Sequence, residues 1–182
     1  RGGFVIAHDG GTVWAQFRSD TASANLYPVP AKSLADGKWH HVALTFESGN
    51  TAELYVDGTL VSSNSIPDFT LTNNPFFVAL SPDDFWRPLK GRVDEVVIRE
   101  NILTAEAVKN KAFVKARGDE EDILAVYHFD EVFHSFAYDD SPNEHHADIT
   151  VTLVGQSTSE IPNRWVGYKD ENWNTPGNWN NG

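Results

Sequence analysis

Several residue types are absent or scarce in this chain of 182 residues. There is no cysteine, which excludes disulfide bonds and thiol catalysis. There is no methionine, and the sequence starts at Arg1, so we expect a mature fragment or a segment of a longer protein. Lys and Arg number 14 against 26 Asp and Glu, and the resulting net charge of −12 argues against nucleic acid and anionic membranes as partners. No apolar run approaches the ~18 residues of a membrane helix, so we expect no membrane insertion.

The residues that are abundant indicate a folded, turn-rich β protein. Hydrophobic residues make up 40% of the chain and aromatic residues 12%, which is enough for a core. The 13 Gly and 9 Pro suit frequent turns between short strands. A net charge of this size also makes divalent cations conceivable ligands, although a solvated acidic surface is the commoner explanation.

Residues 36–58, DGKWHHVALTFESGNTAELYVDG, have the pattern of a β-hairpin. Apolar and polar side chains alternate in both arms, and side chains two apart point to the same face of a strand. The polar segment ESGNT joins the arms, and Asp57-Gly58 closes the second arm with a residue pair typical of tight turns. The core-facing residues of the two arms are predicted to be Val42, Leu44, Phe46, Ala52, Leu54 and Val56.

Further short strands and one helix are predicted around this hairpin. Strands are indicated at residues 4–8, 13–17, 92–98, 123–129 and 147–154. A helix is predicted from about residue 104 to residue 115, with Thr104 as its N-cap and Val108 on its buried side. Regularly spaced short strands favour a sandwich over βαβ units, so the expected fold class is all-β with one short helix.

Three motifs carry a family resemblance. The segments WHHVALTF, ELYVDG and KGRVDEVVI, in this order, resemble the laminin-G-like, concanavalin A-like jelly-roll modules. The resemblance implies a two-sheet antiparallel jelly-roll sandwich. It says less about function, because that sandwich is found in lectins, adhesive modules and glycoside-cleaving enzymes.

Two later segments extend the resemblance. YHFDE…AYDDSPNEHHADI is similar to a segment of the same family in large surface proteins of Bacteroidota-type bacteria, and residues 165–182 resemble the W-N-x-x-x-N-W openings of repeated β-rich modules. We therefore expect a jelly-roll domain over residues 1–160, and a linker with the start of a following module over residues 161–182. Either the opening strands of the module are missing, or strands within residues 123–154 replace them. The resemblance implies a multi-domain protein that is secreted by the type IX route and is extracellular, at the cell surface.

The resemblance also implies a structural calcium ion. Acidic residues of the D-E-V and F-D-E segments can approach Ca²⁺ in related modules, so Asp94 and Glu131 are the candidate ligands, with Asp130 as the substitute. Carboxylates beside turns suit the six to eight oxygen ligands that calcium takes. The alternative is that these are ordinary carboxylates at strand ends. His40 and His41 are adjacent in a strand, so they point to opposite faces and cannot chelate one ion together.

Aromatic side chains are the candidate ligand contacts. Trp14, Trp39, Tyr55 and Trp86 would stack on the C–H faces of sugars if they face away from the core; the alternative is packing in the core or between modules. Asp94 and Glu95 are adjacent, and no strand offers the paired carboxylates that a glycosidase needs. The predicted function is therefore non-catalytic: recognition or adhesion through carbohydrate or another surface macromolecule, with neighbouring modules of the same chain as further partners. A purely structural spacer, or an accessory domain of a polysaccharide-degrading enzyme, remains open.

Overall fold

The computed structural model describes residues 2–31, 33–71, 75–79, 89, 91–130 and 136–148, and within these it contains ten strands and one short helix. The pairings between the named strands are all antiparallel. The chain divides into two compact units. Unit 1 is Arg1–Gly91 with Ile102–Ala112, and unit 2 is Arg92–Asn101 with Phe113–Gly182.

The first sheet of unit 1 has three strands in the order β1-β2-β3. They are β1 (Gly2–Asp9), β2 (Thr12–Ser19) and β3 (Ser23–Leu26). Gly10 and Gly11 form the turn between β1 and β2 with φ of 55° and 87°, a backbone conformation that favours glycine. The hairpin predicted at residues 4–8 and 13–17 is confirmed and is longer at both ends.

The second sheet of unit 1 is the predicted central hairpin with one added strand. It consists of β4 (Val42–Phe46), β5 (Thr51–Val56) and β6 (Thr59–Ser65), in that order. Leu44 pairs with Leu54 across the hairpin, as the alternation requires. Asp57 and Gly58 have φ of 52° and 73°, and a type I′ turn between β5 and β6 needs positive φ at both positions.

The two sheets of unit 1 face each other across one hydrophobic core. The first sheet contributes Val13, Ala15, Phe17 and Leu26, and the second contributes Ala52, Leu54 and Val56, with Ile66 and Phe69 from the segment that follows β6. The rings of Phe17 and Phe46, one from each sheet, meet edge to face with centroids 5.1 Å apart. The predicted two-sheet antiparallel sandwich is therefore confirmed. The predicted core-facing residues of the central hairpin also face the core: Ala52, Leu54 and Val56 are buried, and Val42, Leu44 and Phe46 are partly buried.

The helix α1 (Ala105–Lys111) begins where the sequence predicts. The Thr104 hydroxyl oxygen accepts a hydrogen bond from the amide of Ala107 at 3.2 Å and so caps the helix. The helix ends four residues earlier than predicted, because Ala112 is extended and Phe113 has a φ of 58°. Val108 is buried, and α1 packs beside β6 and the turn at Gly58.

Unit 2 contains two small two-stranded sheets. They pair β7 (Val96–Arg99) with β8 (Ile123–Tyr127), and β9 (Phe136–Ala137) with β10 (Ala147–Asp148). The guanidinium of Arg99 bonds to Glu120 at 2.9 Å and to Asp122 at 2.6 Å beside β8. The strand predicted from residue 92 begins only at Val96, since Glu95 has a φ of 54°. Residues 149–154 of the last predicted strand lie outside the described residues.

Candidate functional site

Two of the four predicted ligand-binding aromatics are buried. Trp14 is 8% exposed and Tyr55 is fully buried, so the prediction that both rings are exposed is wrong. The alternation does place them opposite the core-facing residues of their strands. The outer side of the second sheet is partly covered, because α1 packs on β6 and on the turn at Gly58. Neither ring can offer its face to a sugar in this structure.

The other two predicted aromatics remain untested as ligand contacts. Trp39 precedes β4 and is half-buried, and Trp86 lies outside the described residues. The structure adds one tyrosine that the sequence reasoning missed. Tyr27, directly after β3, is 54% exposed, and its ring centroid lies 5.6 Å from that of Trp14. Tyr27 stands directly before Pro28, where no alternation of polar and apolar residues could predict its exposure.

A groove lies at the end of the central hairpin, on the outer side of the second sheet. Its volume is ≈ 320 Å³. The residues that line it come from β4, the turn, β5 and the segment before α1: Thr45, Phe46, Glu47, Asn50, Thr51, Glu53 and Ile102. Carboxylates, an amide and hydroxyls thus surround one exposed aliphatic side chain. This combination suits a hydroxyl-rich ligand that also has an apolar face.

The polar groups of the groove are held in place by hydrogen bonds. The Asn50 amide donates to Oε2 of Glu47 at 2.8 Å, and the Thr51 hydroxyl donates to Oδ1 of Asn50 at 3.3 Å. The Tyr55 hydroxyl donates to Oε2 of Glu53 at 2.5 Å. Burial and this bond to the Glu53 carboxylate raise the pKa of Tyr55 to about 12. Tyr55 is therefore a positioning residue for Glu53.

Sequence reasoning missed the groove, although part of it could have been found. Thr45 and Glu53 are paired in register and lie on the side opposite Leu44 and Leu54, which the alternation already indicated. The contribution of Ile102 is different. It comes from a segment 49 residues beyond Glu53 in the chain, and no local pattern predicts that contact.

The motif histidine His40 lies between two carboxylates. Its Nδ1 is 2.9 Å from Oδ2 of Asp57, and its Nε2 is 2.9 Å from Oδ1 of Asp36. Both ring nitrogens can donate only in the imidazolium form, so the bonds to Asp57 and Asp36 raise the pKa of His40. Asp57 also accepts from the amide of His41 at 3.1 Å. This Asp36–His40–Asp57 clamp joins the start of the hairpin to its closing turn.

The candidate calcium ligands fall in unit 2. Oδ1 of Asp94 accepts from the amide of Glu95 at 3.1 Å, and Oδ2 of Asp130 bonds to the ammonium of Lys115 at 2.9 Å. Asp130 is thus already paired with a cation of the chain. Glu131 lies outside the described residues. In the part of the chain that the structure describes, no group of three or more His, Cys, Asp or Glu side chains is arranged to hold a metal ion. Calcium stays a prediction.

The AYDDSPN motif forms a structural turn in unit 2. Asp139 is buried and accepts hydrogen bonds from the amide of Val126 at 2.8 Å, from the amide and hydroxyl of Ser141 at 2.9 and 2.8 Å, and from the amide of His145 at 2.9 Å. Burial raises the pKa of Asp139, but these bonds outweigh it and leave the pKa lowered. The carboxylate is occupied in fixing the turn to β8.

Comparisons with known proteins bear on the sandwich. A laminin G family model, described as the concanavalin A-like lectin/glucanases superfamily, matches residues 1–109. A search of curated proteins finds no match. Among solved structures, an S-layer domain-containing protein from Clostridium thermocellum (residues 221–444) is similar with 20% identity and a TM-score of 0.41, over 59% of this chain and 61% of that chain. As for membrane association, none of the helices in the described residues has the length and apolar character to cross a bilayer.

Proposed function

Because the chain belongs to the concanavalin A-like lectin/glucanases superfamily, we propose that it is a non-catalytic recognition module that binds carbohydrate or another surface macromolecule. We place it in a multi-domain, secreted cell-surface protein in which neighbouring modules of the same chain are its other partners. The type IX route and a role in adhesion rest on the motif resemblance of residues 123–182.

The observation that carries the proposal is the groove beside the central hairpin. Its hydroxyl, amide and carboxylate groups can exchange hydrogen bonds with sugar hydroxyls. Ile102 is 54% exposed and offers an apolar surface to the C–H side of a ring. The hydrogen bonds at Glu47 and Glu53 already fix these side chains, which lowers the ordering cost of binding.

A panel of immobilised neutral, amino-sugar and uronate polysaccharides tests the proposal. The protein should be retained by at least one polymer. Ile102→Ala removes three carbon atoms and should weaken that binding at least about fourfold, because even one methylene buried by the ligand contributes about 0.8 kcal/mol. Val29→Ala is the matched control, since Val29 is 87% exposed in the same unit but outside the groove. Failure to bind any polymer would leave the structural spacer as the better description.

A catalytic alternative has one observation in its favour. Glu47 and Glu53 both line the groove, and a glycosidase acts through two carboxylates that flank the scissile bond. The same panel distinguishes this case by release of reducing ends. Turnover that survives repurification and disappears in Glu53→Gln would replace the recognition module with a polysaccharide-degrading enzyme.

We also propose a structural Ca²⁺ ion held by Asp94 and Glu131. A ligand that binds only the folded state raises the melting temperature with its concentration. Calcium should therefore raise the melting temperature, and a chelator should reverse the rise. Asp94→Asn should abolish most of it. A melting curve that responds to neither calcium nor chelator would show that these are ordinary carboxylates.

A further inference from the structure

The charged side chains that line the groove beside the central hairpin are negative. Two of its lining residues, Glu47 and Glu53, are carboxylates, and the described residues that line it include no Lys, Arg or His. The chain as a whole has a net charge of −12. A cleft with charges of one sign concentrates ligands of the opposite sign. The groove therefore disfavours uronates, sulfated sugars and other anionic glycans.

Both carboxylates are fixed before a ligand arrives. Glu47 is held through the Asn50 amide at 2.8 Å, and Glu53 is held through the fully buried Tyr55 hydroxyl at 2.5 Å. Each of these bonds uses Oε2. A carboxylate has about four lone-pair sites, so each group keeps capacity for a further donor. A charged donor would gain most, since Coulomb attraction between the two ions adds to the hydrogen bond.

The remaining surface of the groove limits the size and the shape of the ligand. Its volume of ≈ 320 Å³ is near the lower end of the ~300–1,000 Å³ of ligand sites. This leaves room for only one or two sugar residues. The exposed side chain of Ile102 suits a ring with a C–H face, which a simple alkyl ammonium lacks.

We propose, on the basis of the proposed function, that this groove selects glycans carrying a free amino group. A hexosamine with an unblocked amine supplies an ammonium for Glu47 or Glu53, hydroxyls for Asn50 and Thr51, and a C–H face for Ile102. The N-acetylated form of the same sugar keeps the ring and the hydroxyls but loses the positive charge. The amine is therefore the group by which the groove distinguishes its ligand.

Calorimetry with oligosaccharides of equal length tests this proposal. The probes are glucosamine, N-acetylglucosamine, glucose and galacturonate oligomers, at a pH at which the sugar amine is protonated. The glucosamine oligomer should bind at least about tenfold more tightly than its N-acetylated form, a difference of about 1.4 kcal/mol. The preference should shrink at high salt, because exposed charges are screened.

Glutamine variants assign the preference to the groove. Glu47→Gln and Glu53→Gln keep an oxygen that accepts from Asn50 or Tyr55 but remove the charge, so each should lower the preference for the amine several-fold. Glu100→Gln is the matched control, because it removes one exposed carboxylate outside the groove and should leave the preference unchanged.

The possible failures are distinguishable. Equal binding of the glucosamine and N-acetylglucosamine oligomers would overturn this inference and leave the proposed recognition function standing. A preference that survives in both groove variants would also overturn it, because the overall negative charge would then be the cause. If no oligomer binds at all, this inference fails, and retention on the polysaccharide panel decides whether the proposed function fails with it.

Discussion

The turn between β5 and β6 should be sensitive to a single added methyl group. Gly58 has a φ of 73°, and a Cβ built on it would lie 2.9 Å from Cα of Lys109 in α1. Gly10, in the turn between β1 and β2, has a φ of 55° and would meet no atom within 4 Å. The variants Gly58→Ala and Gly10→Ala therefore share the backbone strain and differ in the contact with the helix.

The two costs can be estimated separately. The left-handed conformation costs an L residue about 1–2 kcal/mol, and replacing glycine restricts the unfolded chain and returns about 0.4–1 kcal/mol. Gly10→Ala should therefore destabilise the protein by about 1 kcal/mol. Gly58→Ala also forces the Lys109 backbone to move, which is an overpacking cost of about 1–3 kcal/mol. Its total should be about 2–4 kcal/mol.

Urea denaturation of both variants, followed by circular dichroism, measures the difference. Gly58→Ala should shift the transition midpoint to lower urea by two to four times as much as Gly10→Ala does, with an unchanged slope, because only the stability is altered. Equal shifts in the two variants would refute the reasoning, since they would mean that α1 does not pack closely on this turn.

Two further predictions concern the core and the His40 clamp. Leu54→Ala should lower the free energy of unfolding by about 2–5 kcal/mol, because this leucine is fully buried between the sheets. Leu60→Ala, at a side chain that is 45% exposed, should lower it by under ~1 kcal/mol. Equal urea midpoints of the two variants would contradict the assignment of the core. Bonds to Asp57 and Asp36 raise the pKa of His40, and the bond to His40 lowers the pKa of Asp36. The stability that the clamp adds should therefore be complete between pH 3.8 and 6.5. It should fall as the pH rises through the pKa of folded His40, and it should also fall as acid protonates Asp36. His40→Gln should remove the loss of stability at high pH. If the variant and the original protein have the same dependence of stability on pH, the ion pairs of the clamp are screened in solution.

The sequence was sufficient for the two hairpins of unit 1 but not for β3 and β6, because period-two alternation is a local signal. Leu44 opposite Leu54, the polar turn between them and the Thr104 cap each follow from residues close together in the chain. The burial of Trp14 and Tyr55 could not be predicted from the sequence. Alternation determines the side of the sheet on which a ring lies, but a distant segment determines whether that side reaches solvent.

The end of α1 and the start of β7 were misplaced for a different reason. Phe113 and Glu95 have φ of 58° and 54°, and both residues interrupt an otherwise regular pattern. Non-glycine residues seldom adopt this conformation, so propensity reasoning extends the helix or the strand through them. The groove was missed for the same reason as the burial of Tyr55, since it needs the contact between the hairpin and the segment before α1.

Several side chains of the family motifs are occupied in holding local structure within each unit. His40 and Asp57 bond to each other, and Asp139 spends its carboxylate on the turn beside β8. His40, Asp57 and Asp139 thus serve the fold, whereas Glu53 of the second motif also lines the groove. The groove residues Glu47 and Ile102 lie outside the matched motif segments. Under the proposed function, a change at Glu47 or Ile102 would alter the ligand preference without disturbing the clamp, in keeping with one fold serving many functions.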